Sequence, residues 1–306
     1  IGVDCGGRDC PDCGGSCKLI KNGGNLNLVV LGNGYTTEEM EEWKNRVNDE
    51  IFMRLLITPP FSDNFDKFTV YRVDTFLDHP FFSNFNLPPL NNYKWWFGVG
   101  SKIRQMAKIC PEHEYVIILN NKKGRSMAHK GKFIVVYNEG DINNVITHEM
   151  GHYLGTPRGE IFLNDEYNEN SAPRGRNEPN CERRGCSKWC KGEPEEEICH
   201  EIETPKECNA EEMCYYVDSV DHYYELDVGI YKSPDVIGCH VRPDYNLGKD
   251  CDPGTGCFKG CLTSYKRYRP SPNSMMNSDY VIGPDAYWNP PSLNHLNRIF
   301  NYYYKS

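Results

Sequence analysis

The fifteen cysteines of this chain constrain its fold more than any other feature of the sequence. Ten of them lie between Cys181 and Cys261, and four lie between Cys5 and Cys17. Because both clusters hold even numbers, we expect five disulfides in the larger cluster and two in the smaller one, which requires an oxidising compartment. Cys110 stands alone between the clusters, and we expect it to be a small buried side chain. The protein is therefore predicted to be secreted.

Composition argues against two classes of partner. The chain has 34 basic and 43 acidic side chains, and the stretch from Glu193 to Glu212 holds nine glutamates and a single lysine. Nucleic acid is not an expected partner because its binding requires a basic face, and the acidic stretch is interpreted as a solvated loop. No apolar run reaches the roughly 18 residues that would suggest a membrane span. Since the chain begins at Ile1 without an apolar leader, we expect a mature product whose signal peptide has been removed.

Between Asn25 and Gly155 the pattern alternates between strand and helix. Short apolar runs bounded by turn residues predict strands, and apolar residues at helical spacing predict helices. The predicted strands are Leu26–Leu31, Phe68–Phe76, Tyr115–Leu119 and Phe133–Tyr137. The predicted helices are one that starts at a Thr36–Glu39 capping box and runs to Leu55, one at Val99–Ile109, and one from about Ile142 to Leu154. This alternation favours an α+β fold with a mixed, twisted sheet covered by helices.

After Gly155 the sequence loses its periodicity, and turn formers, tyrosines and cysteines dominate up to Cys261. We expect an irregular, disulfide-rich C-terminal subdomain in which the bridges replace an apolar core. Order returns in a final helix capped by Ser292, with an apolar stripe of Leu293, Leu296, Ile299 and Phe300. The predicted organisation is a Cys-rich segment (1–24), an N-terminal catalytic subdomain (25–160) and a C-terminal subdomain (161–306) with a disulfide-rich insertion at 181–261.

The stretch His148-Glu149-Met150-Gly151-His152 carries the chemistry. Residues four apart lie one above the other on a helix, so His148 and His152 can bind the same metal ion. Glu149 follows the first histidine and can reach a water bound to that metal, which makes it the candidate general base. Two imidazoles favour Zn²⁺, and a catalytic zinc needs a third protein ligand and an open position.

The third ligand is expected after Gly155. In the metzincin pattern a histidine falls three residues after this glycine, but here the position is Arg158, which cannot bind zinc. Three carboxylates follow, namely Glu160, Asp165 and Glu166, and the residues alone do not choose among them.

Several fragments, in order along the chain, resemble the IgA-peptidase family of zinc metallopeptidases. They are Asn164-Asp165-Glu166-Tyr167, Val30–Thr36, Pro60-Phe61 with Phe68–Val73, Glu178-Pro179-Asn180, Tyr268-Arg269-Pro270 and Asn273–Met276. The resemblance implies a metzincin-like fold, Asp165 as the third zinc ligand, and a Met-turn at Met275-Met276. The chain departs from the family pattern in its extra residues at about 156–163 and in the insertion between Cys181 and Cys261.

These observations predict a secreted zinc-dependent endopeptidase that acts on protein or glycoprotein substrates. Tyr167 and Tyr280 are candidates for a phenol that assists catalysis. The strand Phe133–Tyr137 is either a core strand or an edge that binds an extended substrate by strand addition.

Three alternatives remain open. One is an extracellular binding or structural module with a non-catalytic metallopeptidase fold. The other two concern the N-terminal cysteines, which can bind zinc through Cys10 and Cys13, or supply one thiol that caps the catalytic zinc.

Overall fold

The computed structural model describes residues 17–77, 93–124, 126–129, 133–138, 145–155, 162–163, 179–181, 186–191, 198–217, 238–241, 245–261, 264–271, 274–276 and 287–305. The chain divides into two compact units. The first comprises residues 1–157 and 298–306, and the second comprises residues 158–297.

The first unit is built on a six-stranded mixed sheet with the order β1-β3-β2-β4-β6-β5. Its strands are β1 (Cys17–Lys21), β2 (Leu26–Asn33), β3 (Phe68–Leu77), β4 (Tyr115–Asn120), β5 (Met127–His129) and β6 (Phe133–Val136). β2 runs parallel to β3 and β4, and β4 runs parallel to β6. β1 and β5 are antiparallel to their neighbours. All four predicted strands are confirmed, and the mixed sheet with them.

Burial explains why three of those four strands were visible in the sequence. Every residue of β2, β4 and β6 is buried, as expected for parallel strands that are covered on both faces. Their apolar runs are therefore nearly continuous. β1 and β5 contain exposed or half-buried positions instead, so they lack this signal.

The helices of the first unit agree with the prediction in type and differ at their ends. α1 (Met40–Val47) continues into a π-helix (Asn48–Leu55), and α2 spans Tyr93–Ala107. The Thr36 N–H donates to the Glu39 carboxylate at 2.7 Å, which is one half of the predicted capping box. α3 (Val145–Tyr153) carries the two histidines.

The C-terminal helix α5 spans Pro290–Lys305, and the prediction that Ser292 caps it is wrong. The Ser292 N–H donates to the Asn289 side chain at 3.1 Å, so Asn289 is the cap. Pro290 and Pro291 occupy the first helical positions, where a missing N–H costs nothing. The predicted stripe is largely confirmed, since Leu296, Ile299 and Phe300 are at most 1% exposed.

The described residues of the second unit form only short regular elements, as predicted. Its described elements are a 3₁₀ turn (Cys199–Glu201), α4 (Pro205–Cys208), β7 (Cys214–Val217), β8 (Gly238–Val241), β9 (Phe258–Cys261) and β10 (Ser264–Arg269). β7 pairs with β8 and β9 with β10, both antiparallel. Its core consists mainly of half-cystines with a few large side chains such as Trp189 and Leu247.

The five disulfides expected in the larger cluster are confirmed. They are Cys181–Cys261, Cys186–Cys257, Cys190–Cys251, Cys199–Cys214 and Cys208–Cys239. The other cysteine predictions need correction, because Cys17 is bonded to Cys110 across 93 residues. Cys110 is buried, as expected, but it is not alone, and the N-terminal four do not form two bridges among themselves. Cys5, Cys10 and Cys13 lie outside the described residues.

Among the described helices, none combines the length and the apolar character that crossing a bilayer would require.

Candidate metal centre

His148 and His152 meet on one face of α3. Their Nε2 atoms are 3.1 Å apart, and their ring centroids are 4.7 Å apart with the ring planes nearly perpendicular. This is the arrangement that the spacing of four residues predicts for a helix. The two nitrogens therefore converge on one point in space.

α3 is a buried helix that carries polar side chains. His148 and Glu149 are each 7% exposed, and His152 is half-buried. Burying a histidine and a carboxylate side by side is costly unless they are bonded or used in chemistry. Thr147 and Met150, which flank these two residues in sequence, are fully buried. This face of α3 is therefore the strongest candidate site among the described residues.

Tyr153 ties the histidine helix to the sheet. The N–H of Val116 in β4 donates to the Tyr153 hydroxyl at 2.9 Å. The Tyr153 ring packs edge-on against Tyr115, with centroids 5.3 Å apart. Because Tyr153 directly follows His152, these two contacts fix the helix end that carries the second imidazole.

A buried charge cluster lies on α1 and on the π-helix that continues it. Glu50 is 4% exposed, and its Oε1 accepts from Arg46 Nε at 2.9 Å and from Arg54 Nη1 at 3.1 Å. Arg46 also donates to the backbone carbonyl of Tyr137 at 2.9 Å. Sequence reasoning missed this cluster, although the spacing of four residues between Arg46, Glu50 and Arg54 is a signal for helix ion pairs.

The cluster supports the backbone that leads into the site. Tyr137 directly follows β6, and its own N–H donates to the Ser126 side chain at 3.0 Å. The π-helix that carries Glu50 contacts α3. Nearby, burial raises the pKa of Tyr35 to about 12, although the positive charge of Arg46 acts in the opposite direction.

The predicted strand-addition edge at Phe133–Tyr137 is wrong. β6 is paired on both sides, with β4 through Ile117↔Ile134 and with β5 through Ala128↔Ile134. The alternative, a core strand, is confirmed by its full burial. The edge of the sheet on this side is β5, which contacts α3.

The remaining predicted site residues divide into two groups. Glu160, Asp165, Glu166, Tyr167 and Tyr280 lie outside the described residues. Met275 and Met276 are described in the second unit, where they are 1% and 0% exposed. Met275 N–H donates to the Tyr287 carbonyl at 2.7 Å, and Met276 N–H donates to the Ser274 hydroxyl at 3.1 Å. They form a buried turn with fixed backbone.

Three sulfur atoms also lie close together in the second unit. The Sγ atoms of Cys199, Cys214 and Cys239 are within 4.8 Å of one another. However, Cys199 is bonded to Cys214, and Cys239 to Cys208. Metal ions bind thiolates rather than disulfide sulfurs, so this group is two adjacent bridges and not a metal centre in the oxidised protein.

No protein-family model and no curated protein matches this sequence. The resemblance to the IgA-peptidase family therefore stays a prediction from the motifs.

Proposed function

We propose that this protein is a zinc-dependent endopeptidase in which His148 and His152 bind the metal and Glu149 is the general base. The observation that carries the proposal is the convergence of two imidazole nitrogens, 3.1 Å apart, on a buried helix. A buried carboxylate lies next to the first of them in sequence. A purely structural metal site has no need of such a base.

The histidine pair fits a zinc ion. Two nitrogens that each lie about 2.0–2.1 Å from a tetrahedral zinc are separated by about 3.3 Å, close to the 3.1 Å between the Nε2 atoms. The same distance also suits a hydrogen bond between a neutral imidazole and its neighbour. Metal binding distinguishes the two interpretations because it occupies both lone pairs.

The family resemblance supplies the finer features of the proposal. It implies a metzincin-like catalytic domain with Asp165 as the third ligand, Glu160 and Glu166 being the alternatives, and Met275-Met276 as a Met-turn. The mixed sheet and the buried methionine turn support this proposal without identifying the family.

A bound zinc would supply Lewis-acid activation of a water molecule and of the scissile carbonyl. Glu149 would accept the proton of that water and pass it to the departing amine. The phenols of Tyr167 and Tyr280 are the proposed assisting groups. β5, an antiparallel edge strand beside α3, would bind an extended protein substrate by strand addition.

Metal removal and one conservative variant test the proposal. We expect the purified protein to bind one zinc and to cleave an unfolded or glycosylated protein, and a chelator to abolish cleavage until zinc is returned. Glu149→Gln should keep the metal and lower kcat by about 10²–10⁴-fold. Mass spectrometry for zinc and a peptide-release assay measure the two effects. His113→Asn, which changes a histidine outside α3, is the matched control and should keep both properties.

Cleavage that persists in Glu149→Gln would refute the mechanism. The third ligand is tested by Asp165→Asn, Glu160→Gln and Glu166→Gln, of which only Asp165→Asn is expected to weaken zinc binding.

The dense bridging of the second unit favours one other candidate function, an extracellular binding module whose metal only stabilises the fold. Stoichiometric zinc with no cleavage of any protein substrate, equally in the parent protein and in Glu149→Gln, would favour that candidate.

A further inference from the structure

The Cys190–Cys251 disulfide differs from the other described bridges in its backbone geometry. Its two Cα atoms are 3.8 Å apart, whereas those of the other five bridges are 5.2 to 5.9 Å apart. Disulfides usually hold their Cα atoms about 4.4–6.8 Å apart, and bridges outside this range are easier to reduce. Among the described bridges, this backbone geometry favours reduction of Cys190–Cys251.

The short separation has a cause in the backbone. Cys190 and Cys251 are opposite each other in an antiparallel bridge. The flanking hydrogen bonds run from Lys191 N–H to the Asp250 carbonyl at 3.3 Å and from Asp252 N–H to the Trp189 carbonyl at 2.7 Å. This pattern defines a non-hydrogen-bonded pair, the position at which antiparallel strands bring their Cα atoms closest. The strand pairing therefore contributes to the close approach of the two Cα atoms.

The neighbouring backbone leaves the bridge little room to relax. A Cβ on Gly248 would lie 2.6 Å from the Cys251 sulfur and 2.8 Å from the Cys190 sulfur, so this backbone packs directly on both. Asp250, the residue before Cys251, has φ 48°, a left-handed conformation that costs free energy for a residue other than glycine. Both features hold the two segments in place around the disulfide.

The two cysteine residues of this bridge differ in exposure. Cys251 is half-buried and Cys190 is 8% exposed, while Cys186 and Cys257 in the adjacent bridge are 2% and 0% exposed. Cys251 is therefore the more exposed residue of this bridge, and both its residues are more exposed than those of the neighbouring bridge, which favours attack by an incoming thiolate at Cys251.

We propose that the Cys190–Cys251 disulfide is a modification site for small-molecule thiols of the glutathione class. The thiolate attacks the Cys251 sulfur and forms a mixed disulfide, while the protein S–S bond breaks and Cys190 leaves as a thiolate that takes up a proton. A second thiolate then attacks the mixed disulfide and releases the Cys251 thiolate. The bridge gains two electrons, and two small thiols are oxidised to one disulfide.

The neighbouring bridges allow this site to open without loss of the unit. Cys186–Cys257 and Cys181–Cys261 enclose Cys190–Cys251 in sequence and join the same two chain segments. The residues between Cys190 and Cys251 keep two bridges of their own, Cys199–Cys214 and Cys208–Cys239. Opening the innermost of the three nested bridges therefore leaves the covalent framework closed.

Graded reduction of the full oxidised chain tests the proposal. The protein is incubated with increasing ratios of reduced to oxidised glutathione, quenched with an alkylating agent and digested, and each cysteine is assigned by mass spectrometry. We expect Cys190 and Cys251 to become labelled at a ratio at least tenfold lower than Cys186 and Cys257. The glutathione adduct should be found on Cys251.

Three results would overturn it. If Cys17–Cys110 opened first, partial exposure alone would govern reduction, because Cys17 is also half-buried. If all five bridges of the second unit opened together, reduction would follow unfolding. The variant pair Cys190→Ala/Cys251→Ala should remove the early labelling entirely. The matched pair Cys186→Ala/Cys257→Ala should retain it, and loss of early labelling in this control would also contradict the proposal.

Discussion

Tyr153 shows how a single residue beside a proposed ligand can position it without touching the metal. β6 pairs with β4 from Ile117 onwards, and the N–H of the preceding residue, Val116, donates to the Tyr153 hydroxyl. The phenol therefore completes the hydrogen bonding of the sheet at the point where the ladder ends. Through it, the orientation of α3 and of His152 is coupled to the sheet.

We expect Tyr153→Phe to lower the free energy of unfolding by about 1–3 kcal/mol, because it leaves a buried N–H without its acceptor. Urea denaturation followed by circular dichroism measures this loss. Tyr287→Phe is the control, since that side chain is 46% exposed, and it should change stability by no more than about 0.5 kcal/mol. An equal effect of both variants would show that the Val116–Tyr153 bond does not stabilise the fold.

At the scale of elements, Glu50 pairs with Arg46, which joins the helix to the backbone of Tyr137 at the end of β6. Its two arginine partners are 13% and 26% exposed in their side chains, so their charges are poorly solvated. Removing the carboxylate leaves the two guanidinium charges without a compensating negative charge. We expect Glu50→Ala to cost about 3 kcal/mol of stability in denaturant unfolding.

The exposed pair Lys44–Glu41 on α1 provides the matched control for this cluster. Glu41→Ala should change stability by no more than about 1 kcal/mol, as is usual for surface ion pairs. Between the arginines, Arg46→Met should cost more than Arg54→Met, because only Arg46 is known to reach the Tyr137 carbonyl. The reverse order would mean that the link to Tyr137 adds nothing.

The elements also show which parts of the fold could be predicted from the sequence. Buried parallel strands such as β2 and β4 leave continuous apolar runs, and the histidine pair depends only on helical spacing within five residues. The edge strands β1 and β5 were missed because β1 has exposed positions that break the apolar pattern, and β5 has three residues that are all half-buried. The contact from Arg46 to Tyr137 spans 91 residues, and no local pattern encodes it.

At the scale of the whole molecule, the two units are stabilised in different ways. The first has an apolar core of sheet and helix residues such as Val29, Ile103 and Ile118, and the core of the second consists largely of half-cystines. The number of bridges in the second unit could be predicted because ten cysteines lie between Cys181 and Cys261. The Cys17–Cys110 bridge could not, because its partners are 93 residues apart and are brought together only by the folded sheet and α2.

Each described disulfide closes a loop within one unit, so its loss should be felt in that unit. Cys17→Ala/Cys110→Ala removes the longest loop that a described disulfide closes and is expected to cost about 4 kcal/mol, mainly by freeing the unfolded chain. Hydrogen exchange measured by mass spectrometry should show faster exchange in β1 and at the end of α2. Protection of β7 and β8 should be unchanged. The reciprocal variant, Cys199→Ala/Cys214→Ala, should expose β7 and spare β1. Uniformly faster exchange in both variants would contradict this picture, because it would mean that the two units unfold as one cooperative body.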